Sequence, residues 1–179
     1  SGGGASAVSV NSNSGIVING PINNLSGSTT VIATGANSAI TVAANANNPM
    51  ISGKDVTLRA DGGIGSLGAN GVPVQVQVYG GNLTATSIDR DIAIAAVGSL
   101  SINQVAVNSG VSGRAPQGSV FISATGDINS AAPYNAANPV VIGKNIEINS
   151  TGGAIGATSS VVNNATTLTN INPLVIQAT

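Results

Sequence analysis

Few side chains in this sequence can do acid–base or ligand chemistry. The acids are Asp55, Asp61, Asp89, Asp91, Asp127 and Glu147, with no histidine or cysteine beside them. Without those two residue types no Ser–His triad, Cys–His pair or Cys/His zinc site can be assembled. A glycosidase needs two carboxylates facing each other across a cleft, and a lyase of the β-helix kind needs an aspartate–calcium cluster with basic residues nearby. Asp89-Arg90-Asp91 is the one tight charged cluster. Its two acids could share a strand face with Arg90 opposite. All three could instead cap a turn, paired to a neighbouring arginine, which is the plainer reading; a weak cation site is the alternative. Sugar recognition leans on aromatic platforms with amide and carboxylate hydrogen bonds, and Tyr79 and Tyr134 are the platforms considered. The candidate ligand-binding residues are therefore Tyr79, Tyr134, Asp89 and Asp91, with packing or loop anchoring the competing use of each tyrosine. No catalytic residue, cofactor or metal ligand is assigned, and the chain is expected not to be an enzyme.

Other motifs are weaker. Gly63-Ile64-Gly65-Ser66-Leu67-Gly68 has the G-x-G-x-x-G form. A dinucleotide site needs a helix next, whose N-terminus holds the pyrophosphate. Ala69-Asn70-Gly71-Val72-Pro73 is instead a turn leading into a strand, so a corner is expected. Gly62-Gly63-Ile64-Gly65 lacks the following aspartate of a calcium-binding β-roll. Thr84-Ala85-Thr86 is a Thr-x-Thr element that does not recur at coil spacing, as an ice-binding array would require. Asn24, Asn82, Asn149 and Asn164 begin N-x-S/T triplets, which chance supplies in so Asn-rich a chain.

The elements that would position these residues follow from composition and periodicity. The 179 residues carry 6% charged and 2% aromatic side chains, 24 glycines and a net charge of −1. That leaves no basic surface to grip nucleic acid or an acidic membrane. No apolar run reaches the roughly 18 residues of a membrane helix. Short runs of period two recur from Val8-Ser9-Val10 through Val72 to Val78, Val120-Phe121-Ile122 and Ile146-Glu147-Ile148 to Leu174-Val175-Ile176. Gly, Asn, Asp and Ser separate them, which is the pattern of strands joined by tight turns. The fold class is all-β.

A repeat narrows the architecture. Residues 45–63 and 135–153 are identical at eight of nineteen positions, including Pro49/Pro139, Gly53-Lys54/Gly143-Lys144 and Gly62-Gly63/Gly152-Gly153. Ala33-Thr34-Gly35 matches Ala124-Thr125-Gly126 one residue out of that offset. The spacings predict a parallel β-helix (β-solenoid) with coils of roughly 20 residues and loop excursions. Narrow coils accept columns of Val, Ile, Leu and Ala, corners accept Gly and Asn, and outward hydroxyl and amide groups avoid stacking like charges. A β-sandwich is the runner-up, and the scarcity of large aromatic residues argues against it. Residues 1–7 read as a flexible end or linker. Residues 8–179 read as one solenoid segment containing a duplicated unit, 29–65 and 120–156, and as an interior piece of a longer protein. Contacts are expected from loops near 66–73, 108–118 and 131–139, with a further polar excursion at 163–172.

Gly53-Lys54-Asp55-Val56-Thr57-Leu58-Arg59-Ala60-Asp61-Gly62-Gly63-Ile64-Gly65 and Gly81-Asn82-Leu83-Thr84-Ala85-Thr86-Ser87 resemble filamentous-haemagglutinin-like large exoproteins. So do Asp91-Ile92-Ala93-Ile94 and Gly98-Ser99-Leu100-Ser101-Ile102, and the resemblance spans roughly residues 30–179. These are bacterial adhesins secreted by the two-partner route. The resemblance implies a right-handed parallel β-helix, export through an outer-membrane transporter, a place on the cell surface or outside the cell, and a role in attachment or biofilm cohesion. The amino-terminal secretion domain of such proteins is not recognisable here, so an interior shaft or binding segment is implied. Expected partners are an extracellular polysaccharide or a host glycan or protein, with no nucleic acid and no membrane insertion. The fragment is expected to be a monomer that tends to stack end to end. Alternatives are a polysaccharide-active β-helix enzyme and the passive stalk of a contact-dependent toxin delivery protein.

Overall fold

The structure, a computed structural model, describes residues 6–132, 137–156, 158–162, 165–169 and 174–178. Those residues form strands and turns with no helix, so no helix among them is long and apolar enough to cross a membrane. The first third of the chain holds β1 (Val8–Ser12), β2 (Ile16–Ile18), β3 (Thr29–Ala33), β4 (Ile40–Val42), β5 (Met50–Gly53) and β6 (Val56–Ala60). Then come β7 (Val74–Val78), β8 (Leu83–Ile88), β9 (Ile92–Ala96), β10 (Leu100–Asn108), β11 (Val120–Ala124) and β12 (Ile128–Ser130). The last are β13 (Val141–Gly143), β14 (Ile146–Ser150), β15 (Thr158–Val162), β16 (Ala165–Thr169) and β17 (Ile176–Ala178). β-Branched residues on alternate positions make these segments poor helices and good half-buried strands.

Pairing is parallel, apart from the antiparallel β15–β16 hairpin in the expected polar excursion. One sheet runs β1-β3-β6-β8-β10-β13-β17, with β12 also beside β10, and a second runs β5-β7-β9-β11-β14. β2 pairs with β4, and isolated bridges carry that ladder on from Ile40 to Ile64 and from Ile64 to Ile92 in β9. Parallel ladders exclude the usual sandwich, whose sheets are antiparallel. The expected step of roughly 20 residues holds between β7 and β9, where Val74 meets Ile94. Most steps are longer: Thr29 pairs with Val56 and Val56 with Leu83, 27 residues on each time. Val105 pairs with Val141, 36 residues on, because the chain between them adds loop and the short β12.

In-register pairing stacks like residues into columns. Val31, Leu58, Ala85, Val105 and Val141 form one buried column. Ile40, Ile64, Ile92 and Val120 form another, and both belong to one apolar core fed by both sheets. The repeated segments adopt the same order of elements, β3 to β6 matching β11 to β14. They occupy opposite sheets, however. β3 and β6 pair in the first sheet, whereas β11 and β14 pair in the second, and β5 and β13 are exchanged the other way. The Gly-Lys pair has the same task in each copy: the Lys54 amide donates to Gly27 O at 2.8 Å and the Lys144 amide to Gly118 O at 2.9 Å.

Candidate functional site

Asp89 and Asp91 flank a turn rather than sharing a strand face. Asp89 has φ of 52°, a left-handed conformation that an aspartate tolerates better than most side chains. Its Oδ2 accepts from the Gly110 amide at 3.0 Å and from the Arg114 guanidinium. The Gly110 amide, with the Arg114 charge, holds the Asp89 carboxyl below its ordinary value of 3.8 against the opposing effect of burial. Asp91 Oδ1 accepts from the Ser119 amide at 2.7 Å. Arg90 points elsewhere, donating to Asn37 Oδ1 at 3.1 Å. Tyr79 is half-buried on the segment leaving β7, and its hydroxyl donates to Gln77 Oε1 at 2.8 Å. Tyr134 lies outside the described residues. The structure therefore does not bring Tyr79 together with the Asp89–Asp91 turn.

The same use of carboxylates recurs. Asp55 Oδ1 accepts from the Asn82 amide, Asp61 Oδ2 from Gly35 and Asp127 Oδ1 from Ala154, with separations of 27, 26 and 27 residues. Each of these acids binds a backbone amide one parallel step away. At a corner the ladder hydrogen bonds stop, and a short acidic side chain supplies the missing acceptor. Five of the six acids are engaged in this way, which explains their place at turns. Gly63-Ile64-Gly65-Ser66-Leu67-Gly68 is a corner and loop, as its sequence context requires.

A concavity on the surface involves residues outside the candidate set. The loop 66–73 folds outward and closes on itself: Ser66 N donates to Val72 O at 3.0 Å, Val72 N to Ser66 Oγ at 2.8 Å and Gly71 N to Gly68 O at 2.9 Å. Gly65 and Gly68, with φ of 65° and 101°, permit this path. Between the loop and the outer face of β11 and β14 lies a groove of about 670 Å³. Leu67 and Pro73 line one wall, while Phe121 and Glu147, register partners on adjacent strands, line the other. Asn145 Nδ2 donates to Ser119 Oγ at 3.2 Å on the rim. Alternation does signal these residues, because Phe121 lies between inward Val120 and Ile122, and Glu147 between Ile146 and Ile148. Only the 26-residue pairing of β11 with β14 reveals that they stand side by side.

Register also corrects the view of Thr84 as isolated. Thr30, Thr57 and Thr84 stack on successive strands, with Ser9 next to Thr30. The neighbouring outward column reads Ile32, Arg59 and Thr86, so the threonines form one column and not a two-column array. Of the four N-x-S/T triplets, the one at Asn24 is closed, since that side chain is buried and hydrogen-bonded to backbone. No family model matches the chain, and no curated protein or solved structure matches it either.

Proposed function

We propose that this chain is a segment of a right-handed parallel β-helix displayed outside a bacterial cell, where it serves as a non-catalytic adhesin shaft. The observation that carries this reading is the run of parallel pairs from Val8 in β1 to Ala178 in β17. Within the two sheets successive strands are bonded in parallel along the chain, so a pull along the stack is resisted by whole ladders of hydrogen bonds. The resemblance to filamentous-haemagglutinin-like shafts supports the same reading, and with it secretion through an outer-membrane transporter. The absence of catalysis rests on the acids: Asp55, Asp61, Asp89, Asp91 and Asp127 hold backbone amides, and none faces another across the groove. Attachment to extracellular polysaccharide or to host glycans and proteins then falls to the outward loops. The test is retention of beads coated with the purified chain on surfaces carrying extracellular polysaccharides or matrix glycoproteins, under flow. Retention above that of uncoated beads supports the reading, and retention on none of these surfaces overturns it.

A further inference from the structure

The groove between the loop 66–73 and strands β11 and β14 has the ingredients of a selective site. Its volume of about 670 Å³ falls among small-molecule pockets, which run roughly from 300 to 1,000 Å³. Phe121 is the only phenylalanine in the sequence and sits at an outward position of β11, half-buried, where the core makes no use of it. A ring so placed offers an apolar face against which the C–H face of a sugar packs. Around it stand hydroxyl and amide groups from Ser66, Ser119, Ser123 and Asn145, suited to a ligand with many hydroxyls. The loop wall is held by its own three hydrogen bonds before any ligand arrives, so little ordering accompanies binding.

Charge narrows the ligand further. Glu147 is exposed and is the one ionisable side chain lining the groove. Lys144, close by in sequence, does not line it. We propose that the groove is a saccharide site selective for sugars that carry a free amine, with Phe121 as stacking platform and Glu147 as the carboxylate that receives the ammonium group. The ammonium–carboxylate contact supplies the preference, because a full positive charge is attracted to the carboxylate more strongly than the uncharged N–H of an acetylated amine. An acidic sugar is repelled by the same carboxylate. This inference rests on the reading of the chain as an attachment segment and specifies one of its ligands.

Isothermal titration of the purified chain with a glucosamine oligosaccharide, its fully N-acetylated counterpart, an oligogalacturonate and a lysine-containing peptide tests it. The glucosamine oligomer is expected to bind saturably and roughly three- to tenfold more tightly than the acetylated form, in the range of one partly exposed charged contact. The galacturonate and the peptide are expected to bind more weakly than either. Glu147→Gln should erase the preference by weakening the glucosamine oligomer more than the acetylated one, with an unaltered melting transition showing that the variant folds. Phe121→Leu should weaken both amino and acetylated sugars. No saturable binding of the glucosamine oligomer, a preference that survives Glu147→Gln, or tighter binding of the lysine peptide would each overturn the proposal. Failure here with beads still retained on polysaccharide removes the groove site alone. Failure of the beads removes the attachment reading, while the titration still decides the groove.

Discussion

Asn24 is only 9% exposed, and both ends of its amide are engaged. Its Nδ2 donates to Ser6 O at 2.9 Å and Ser28 O at 3.1 Å, and its Oδ1 accepts from the Gly27 amide at 3.0 Å. Replacing it with alanine leaves three backbone groups without that partner in a site too closed for water to replace it fully. Asn24→Ala is therefore expected to cost about 2–3 kcal/mol, read from the urea midpoint at constant slope. Asp89 makes a different prediction because it titrates. Its carboxyl is held below 3.8 in the folded chain, so the folded state binds that proton less readily than the unfolded one. The stabilisation it provides is fully present above the ordinary carboxylate value and is lost as pH falls through the lowered folded one. Melting temperatures of the parent and Asp89→Asn, taken from neutral pH down into acid, should converge at the acid end. A constant gap at every pH would mean that the Gly110 and Arg114 contacts do not depend on the charge.

At the scale of elements, the repeated Gly-Gly pairs show why two distant segments share residues. A Cβ built on Gly62 would lie 2.6 Å from Asn37 O and 2.8 Å from Asn37 C, on the turn of the preceding coil. Gly152, its counterpart in the second copy, backs onto Thr125 O at 2.5 Å in the same manner. Turns joined to neighbouring parallel strands approach backbone to backbone there, and any side chain wedges the ladder apart. Gly62→Ala is expected to cost about 1–3 kcal/mol. Gly20→Ala should be close to neutral, since no heavy atom lies within 4 Å of a Cβ at that position. Chemical denaturation of the pair checks this, and equal changes at the two positions would mean that close approach does not explain the glycine at 62. The repeat was readable in the residues themselves. Its exchange between sheets was not, because a period of about 90 residues is not a whole number of steps when pairs such as Thr29–Val56 are 27 residues apart.

For the molecule as a whole, the ladders predict a gradient of stability. β6 is bonded on both sides, to β3 and β8, and β9 to β7 and β11, whereas β1 has a partner on one side only. Amide hydrogens in β6 and β9 should exchange more slowly than those in β1 by about two orders of magnitude or more, measured by native-state hydrogen exchange. Uniform protection from β1 inward would point to a single all-or-none unit instead. Both sheets contribute to one core of Val, Ile, Leu and Ala, so truncations in the Ile40–Ile64–Ile92 column should lower protection in both sheets together.

The residues alone determined that this chain is all-β, with turns rich in glycine and asparagine. Those properties are local: β-branched residues at alternate positions, and turn residues between them, act over three to seven neighbours. The same locality made the Asp89–Asp91 turn legible as a corner paired to an arginine, although nothing nearby in the sequence marks Arg114 as the partner. Register was decided by tertiary structure. Which residue lies beside which depends on the length of every intervening loop, so the Thr30–Thr57–Thr84 column and the Phe121–Glu147 pair emerge only once the strands pair. Tyr79 is a candidate platform by residue type, yet it is Phe121 that lines a groove, because the loop 66–73 arches over that part of the sheet and no other described aromatic lines it. Single residues specify strands and turns over short range, whereas a surface site on parallel sheets of this kind is assembled from segments a parallel step or more apart.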